Sequence, residues 1–393
     1  MWLLVGCNKW SQKVNDNFLP FALPCIGEEE INEVVDTLKS GWLTTGPKTK
    51  RFENDFAQFV GVDHALAVNS CTAGLHLALE AIGIQAGDKV ITSPYTFTAT
   101  AEVIRYLGAD PVFVDIDPQT FNIDPYQLAA TLDIVDGVKA IIPVHFAGQA
   151  CDMDPILESA AQFSVKVVED AAHALPTLYK GRMVGSLGDI TAYSFYVTKT
   201  LATGEGGMIV TANPEYAERM GILRLHGMSR DVFDRNSSWH YDVVAPGFKY
   251  NMTDMAAALG IHQLQKAESF QQRRAEIANL YTNNLNDLPL TIPYQTDYSS
   301  HAWHLYVIQL DLENLTIDRK TFIERMAAAG IGTSVHFIPL HLQTYWRDRY
   351  GLKAEDFPVA LDVYNRAVSL PIYPCMSDDD VHRVITQIRT ILK

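Results

Sequence analysis

Apolar and polar positions divide this chain into two regimes. Between residues 64 and 211, short apolar runs bounded by turn residues alternate with stretches whose apolar positions recur at helical spacing. The runs HALAVNS (64–70), DKVITSP (88–94), DPVFVDI (110–116), VKAIIPVH (138–145), VKVVED (165–170), DITAYSF (189–195) and GGMIVT (206–211) read as strands. Helical patterns fall at 72–79, 98–106 and 125–132. Two more precede the first strand, at 26–39 and 50–59, flanking a turn-rich loop, SGWLTTGP (40–47). The first of these opens on Glu28, Glu29 and Glu30, acidic residues that suit a helix N-terminus. Strands alternating with helices predict an α/β domain around a mostly parallel sheet.

Past residue 251 the texture changes. A long helix is expected over 253–281, strands at 304–310 and 333–338, and helices at 319–329 and 378–392. The division that follows is an extension (1–18), a large α/β domain (19–252) and a smaller C-terminal α+β domain (253–393) that begins with a long linking helix. No internal repeat or low-complexity tract interrupts it.

Composition narrows the partners. The chain has 393 residues, 48% of them hydrophobic, and a formal net charge of -15 without any run of basic residues. That balance argues against nucleic acid, whose phosphates call for a basic surface. Cys7, Cys25, Cys71, Cys151 and Cys375 are odd in number and widely scattered. They suggest neither a metal site nor a disulfide framework, and point to a reducing, cytoplasmic setting. The apolar start MWLLVGCNKW is too short to span a membrane and has no basic residues ahead of it, so no membrane insertion is expected.

Ligands of α/β sheets bind beyond the carboxyl ends of the strands, and three polar groups fall at predicted strand ends. Ser70, Cys71 and Thr72 lead from a strand into a helix. They suit either a helix cap or, through free backbone N–H groups, a phosphate cradle. Glu169 and Asp170 close an apolar strand, with His173 just beyond. Asp170 either caps a following helix or pairs with a cationic ring nitrogen, since a buried carboxylate needs a partner. Lys199 follows the strand ending at Phe195 and precedes a glycine-rich stretch, GEGG. It is either a surface lysine or one that forms a Schiff base with an aldehyde. Phe97, past another strand, is either a core residue or a flat surface for a ring. Together these match the needs of pyridoxal phosphate: a Schiff-base lysine, an acidic partner for the ring nitrogen and an anion cradle.

The stretches GWLTTGP, NSCTAGLHLAL, SPYTFTATAEVI, VEDAAHA, SFYVTKTLATGEGG, GFKYNMTDMAAALG and HAWHLYVI, in this order, resemble the DegT/DnrJ/EryC1/StrS family of sugar aminotransferases. The likeness runs from about residue 19 to the C-terminus. It implies the fold-type I, aspartate aminotransferase-like architecture of pyridoxal-phosphate enzymes. It further implies Lys199 as internal-aldimine lysine and proton shuttle, Asp170 as partner of the pyridinium nitrogen and His173 near the phenolic oxygen, the three forming the catalytic set. Phe97 would stack on the ring, and Ser70, Cys71, Thr72 and Ser194 would hold the phosphate. Asn251, with Lys249 nearby, would reach the phosphate of a neighbouring subunit, making a homodimer with shared sites. Cys71 stands where many relatives have glycine, and its backbone N–H preserves the cradle. Trp42, Thr44 and Thr45 would line the sugar-nucleotide site, with His336 and His341 as approaching histidines for which a structural role is the other reading. No metal is implied. The implied reaction takes an amino group from L-glutamate to a keto sugar on a nucleotide. The motifs are most similar to enzymes aminating C4 of a UDP-linked 4-keto sugar, of the 4-amino-arabinose type. C3 amination, another pyridoxal-phosphate lyase or dehydratase reaction, and a homologue that binds without turnover are the alternatives.

Overall fold

The computed structural model describes residues 18–229 and 241–393. Two helices, α1 (Glu28–Ser40) and α2 (Pro47–Val60), precede the first strand. The central region then runs β1 (His64–Val68), α3 (Cys71–Ala81), β2 (Lys89–Thr92), α4 (Ala99–Tyr106), β3 (Asp110–Phe113), α5 (Pro125–Ile134), β4 (Val138–Ile142), α6 (Met153–Phe163) and β5 (Lys166–Asp170). A small hairpin, β6 (Leu178–Tyr179) and β7 (Arg182–Met183), leads to β8 (Ile190–Ser194), β9 (Gly207–Thr211) and α7 (Pro214–Leu223). The remainder comprises α8 (Asp254–Gln265), α9 (Ala267–Leu285), β10 (Leu290–Thr291), β11 (Tyr306–Leu310), α10 (Arg319–Ala328), α11 (Thr344–Tyr350), α12 (Pro358–Arg366), β12 (Ala367–Leu370) and α13 (Asp378–Leu392).

Seven strands form one sheet in the order β1-β9-β8-β5-β4-β2-β3. Only β9 runs against its neighbours; β1 and β8 both pair with it antiparallel, so β1 is parallel to the rest. The expected mostly parallel sheet is therefore present. Its direction sets the chemistry, because the carboxyl ends of β1, β2, β5 and β8 all open on one edge. Apolar strand residues fill both faces, as a parallel sheet covered by helices requires. Helix α3 packs so closely that a Cβ on Gly74 would lie 3.2 Å from Ile209 and 3.3 Å from Ala192.

The C-terminal sheet, β10-β11-β12, is antiparallel and packs with α9, α10 and α13 in a second core. Leu19 belongs to that core and bridges Ile331, so the chain starts against the C-terminal layer before entering the central one.

Three expectations need correction. The linking helix is two helices that meet in a turn at Lys266 (φ -95°, ψ -4°), whose N–H bonds the Gln263 carbonyl. Its side chain instead pairs with the buried Glu30 at 2.8 Å. The 333–338 segment is not a strand; Ser334 alone bridges Ser369. Cys25 and Cys375 form a disulfide across Cα atoms 5.8 Å apart. The two lie 350 residues apart in sequence, so the expectation of no disulfide is overturned by a pairing that spacing does not reveal. Cys71 and Cys151 are free and buried.

Candidate active site

Beyond the carboxyl end of β1, the Ser70 hydroxyl oxygen accepts the Ala73 N–H at 3.1 Å and caps α3. The cap reading holds, and it leaves room for the other. Cys71 and Thr72, the first two helical residues, keep N–H groups that have no intrahelical acceptor and carry the positive end of the helix dipole. The segment 249–251 runs alongside. Asn69 N–H donates to the Tyr250 carbonyl, and Asn251 bridges Val68. Within this chain Asn251 thus lies against the end of β1. Its Nδ2 donates to the Thr45 hydroxyl at 2.6 Å, and its Oδ1 is buried without a partner among the described residues. Lys249 is exposed.

Asp170 closes β5. No helix follows, so Asp170 is not a cap; its Oδ1 accepts the Ala172 N–H of a turn at 3.1 Å. Its Oδ2 accepts the Thr100 hydroxyl at 2.8 Å, and Thr100 lies 2.8 Å from the Thr96 hydroxyl. Burial raises the Asp170 pKa, while the Thr100 and Ala172 bonds and the Lys199 charge oppose that rise. One residue back, the fully buried Glu169 accepts from Gly188 N–H, Thr191 Oγ1 and His145 Nε2. His145 Nδ1 accepts the Cys151 N–H at 3.0 Å, which puts the imidazole proton on Nε2.

Lys199 sits five residues past the end of β8, in a turn whose backbone N–H bonds Tyr196 C=O at 2.8 Å. It is not a surface lysine. Burial pulls its pKa down to about 8, against the opposing pull of Cys71 and Asp170. Among the described residues its amine has neither ion pair nor hydrogen bond. The Cys71 Sγ lies 4.0 Å from Asp170 Oδ1, and burial pushes that thiol's pKa up. Ser194, the last residue of β8, accepts the Tyr196 N–H at 3.3 Å and keeps its hydroxyl proton to donate.

His173 is buried, and its Nδ1 accepts the Ala147 N–H at 3.2 Å. The neutral ring therefore carries its proton on Nε2. Burial, then the Lys199 and His336 charges, holds its pKa well below normal. Phe337 stacks near His173 at 5.9 Å and 21°. Phe97 is 60% exposed, which excludes the core reading, and its ring lies 6.0 Å from Phe337. His336 Nδ1 is 2.9 Å from the Ser369 hydroxyl, and its pKa is drawn down to about 3 by burial and by Lys199. His341 is not brought to this group. It is fully buried against Phe357 at 5.0 Å, so its contacts are structural.

The loop carrying Trp42, Thr44 and Thr45 is fastened to α8. Asp254 accepts N–H bonds from Gly46, Lys48 and Thr49 and the Thr49 hydroxyl at 2.6 Å, capping α2 where Gly46 has no side chain to do so. The Thr45 hydroxyl donates to Met252 C=O, and Asp254 N–H to Thr44 C=O. Sequence reasoning missed Thr100, Asp254, His145 and His304. Thr100 and His304 lie inside quoted motifs, but only the fold shows what they touch.

The residues fit pyridoxal phosphate on their own geometry: an unpaired amine of lowered pKa, a buried carboxylate without a hydrogen-bonded cation and a helix N-terminus, all on one sheet edge. A sequence profile of the DegT/DnrJ/EryC1/StrS aminotransferase family matches residues 24–389. The spore coat polysaccharide biosynthesis protein SpsC of Bacillus subtilis (strain 168) is 53% identical over 387 residues, covering 97% of this chain and 99% of that one. The putative sugar aminotransferase Spr1654 from Streptococcus pneumoniae, in its PLP form, superposes with a TM-score of 0.87 at 35% identity over 95% of this chain and 98% of that one. Helicobacter pylori PseC, an aminotransferase involved in the biosynthesis of pseudoaminic acid, gives 0.88 at 28% identity over 96% and 99%. The chain belongs to the DegT/DnrJ/EryC1/StrS aminotransferase family and has the fold-type I architecture with pyridoxal phosphate as cofactor. No described helix is long and apolar enough to cross a membrane.

Proposed function

We propose that this sugar aminotransferase moves the amino group of L-glutamate to C4 of a UDP-linked 4-keto sugar destined for a surface polysaccharide. The observation that carries the reaction type is the meeting of Lys199, Asp170 and His173 beyond one sheet edge. The C4 and UDP assignments rest on the motifs GEGG, GFKYNMTD and TSVHFIPLH. The polysaccharide destination rests on the likeness to SpsC.

When bound, pyridoxal phosphate supplies the electron sink that makes a proton next to nitrogen removable. Lys199, with its lowered pKa, would hold the cofactor and could accept and return a proton at its Nζ. A pKa near 8 balances a neutral amine that can accept a proton against an ammonium that can return it. Asp170, pinned by Thr100 and Ala172, would keep the ring nitrogen protonated. His173 would offer its Nε2–H to the bound cofactor. Ser70, Cys71, Thr72 and Ser194 would bind the phosphate, and Phe97 would pack on the ring. Trp42, Thr44, Thr45 and His336 face the sugar nucleotide. Asn251 and Lys249 serve the phosphate of a second copy in a cytoplasmic homodimer.

The test is the visible spectrum of the purified protein with pyridoxal phosphate, before and after L-glutamate and then with a panel of keto nucleotide sugars. A yellow band that glutamate bleaches and one sugar restores is expected, with NMR of the product placing nitrogen on C4. A band insensitive to glutamate, or unchanged in K199A, would refute the reaction. Nitrogen on C3 would refute the position alone.

A further inference from the structure

His304 has no part in the chemistry above, yet several costly features place it. Its ring centroid is 4.4 Å from that of His173, tilted by 45°, and it is buried. Its Nδ1 is buried without a partner among the described residues. The turn that delivers it holds Trp303 at φ +51°, a left-handed conformation unfavourable for a bulky residue. That conformation is held from both sides. His301 Nδ1 accepts the Trp303 N–H at 2.8 Å, and the Trp303 carbonyl accepts from Arg274 Nη1 at 3.1 Å. Arg274 is fully buried and has no carboxylate partner among the described residues; its Nη1 also donates to Ile372 C=O at 2.7 Å. A buried guanidinium without an anion is expensive.

The opposite side of the turn is tied to the support of His173. Ala302 N–H donates to Gly148 C=O, and Leu305 N–H to Ala147 C=O. Ala147 is the residue whose N–H fixes the His173 tautomer. Gly148 has φ +103°, and a Cβ there would lie 3.1 Å from both His304 N and His173 O. The two histidines are thus seated by one unit. The charges acting on His304 are those of His173, Lys199, Arg274 and His336, all cationic in sign. A connection into β11 needs none of this, and a phenylalanine would fill the space without burying an unpaired nitrogen.

We propose that His304 is a second histidine of the site, which seats the His173 ring and offers its nitrogen as a hydrogen-bond donor to an oxyanion of the bound ligand. The oxyanion comes from one of two sources, the phenolic oxygen of the cofactor or a carboxylate of the amino donor. The inference rests on the pyridoxal-phosphate reading of this site and on the placement of His173 within it.

The test compares wild type, H304F and H304N for the dissociation constant of pyridoxal phosphate, the pH midpoint of its visible band, and the glutamate concentration that half-bleaches that band. H304F keeps the ring's shape and is expected to lose about tenfold, the scale on which an orienting partner acts. The loss falls on cofactor affinity and band midpoint if the phenolic oxygen is the source, or on the glutamate midpoint if the carboxylate is. H304N is expected to recover part of it. H304F matching wild type in all three readouts would overturn the inference, as would an H304N loss equal to that of H304F. A wild type that takes up no pyridoxal phosphate would overturn the underlying reading as well. Should the variants fail to fold, 15N NMR of the wild-type apoprotein decides. Neutral His173 and His304 rings at pH 7 are expected; an imidazolium at either would refute the seating.

Discussion

The lowered basicity of Lys199 gives the sharpest test of the site, and one that needs no substrate. With a pKa of about 8, about 9% of the amine is neutral at pH 7. An ordinary lysine at about 10.5 has only about 0.03% neutral at that pH, roughly 300-fold less. A less basic amine is also a weaker nucleophile. Taking the Brønsted slope of about 0.4–0.5 measured for thiols, the deficit is about tenfold. The net advantage of Lys199 over an exposed lysine is then about 30-fold, before any loss from restricted access. Trace labelling of the apoprotein with acetic anhydride, read peptide by peptide by mass spectrometry across pH 6–11, measures this directly. Lys199 is expected to titrate with a midpoint near 8 and to be the lysine that pyridoxal phosphate protects. Because burial lowers this pKa while the Asp170 charge raises it, D170N should move the midpoint further down. A midpoint near 10.5, or an upward shift in D170N, would refute the account of how the site tunes its lysine.

Other consequences can be checked alongside. Thr100→Val removes a hydrogen bond to a buried carboxylate, worth about 1.5–3 kcal/mol when the acceptor is charged. The Thr100 bond favours the ionised carboxylate and opposes the rise that burial imposes on the Asp170 pKa, so it contributes most above the folded pKa and least below it. Urea denaturation of T100V against wild type should therefore show a deficit that is large at pH 8 and small at pH 4; an equal deficit at both would count against an ionised Asp170. Asp254→Ala leaves three N–H groups at the start of α2 without their acceptor, so a loss of at least about 2 kcal/mol is expected, with a change in Trp42 fluorescence. Unchanged fluorescence would show that the loop does not depend on Asp254. Thiol titration of the denatured protein should gain two groups on reduction, since Cys25 and Cys375 are paired. No gain on reduction would show the pair to be open.

The central sheet was legible because its strands are buried on both faces and read as apolar runs between turns. The seven-strand count and the mostly parallel direction both emerged. The break at Lys266 is not legible because neither proline nor glycine marks it, and its pairing with Glu30 is a tertiary contact that periodicity does not carry. The 333–338 segment alternates like a strand, but only Ser334 finds a bridge partner. Among the proposed site residues, Lys199, Asp170 and His173 stand out in the sequence as polar groups at the ends of apolar runs. The two histidines proposed for the substrate looked alike in sequence. The fold separates them, turning His336 toward His173 and Lys199 while His341 packs on Phe357.

The groups on the sheet edge share one energetic condition. Burial raises the pKa of Asp170 and Cys71 and lowers that of Lys199, His173 and His336, in each case disfavouring the charged form. The ligand-free protein therefore holds its site at a cost, met by the apolar cores on both faces of the sheet. In the proposed binding mode, a dianionic phosphate at the start of α3 and a protonated ring nitrogen beside Asp170 would supply the opposite charges. Binding then relieves the strain that the fold imposes, and affinity for the cofactor and instability of the empty site become two readings of the same free energy. That coupling also accounts for the rigid fastening of the surrounding loops. Asp254, Arg274 and Gly148 hold backbone in place at positions where a looser site would let these groups drift apart and recover their ordinary protonation.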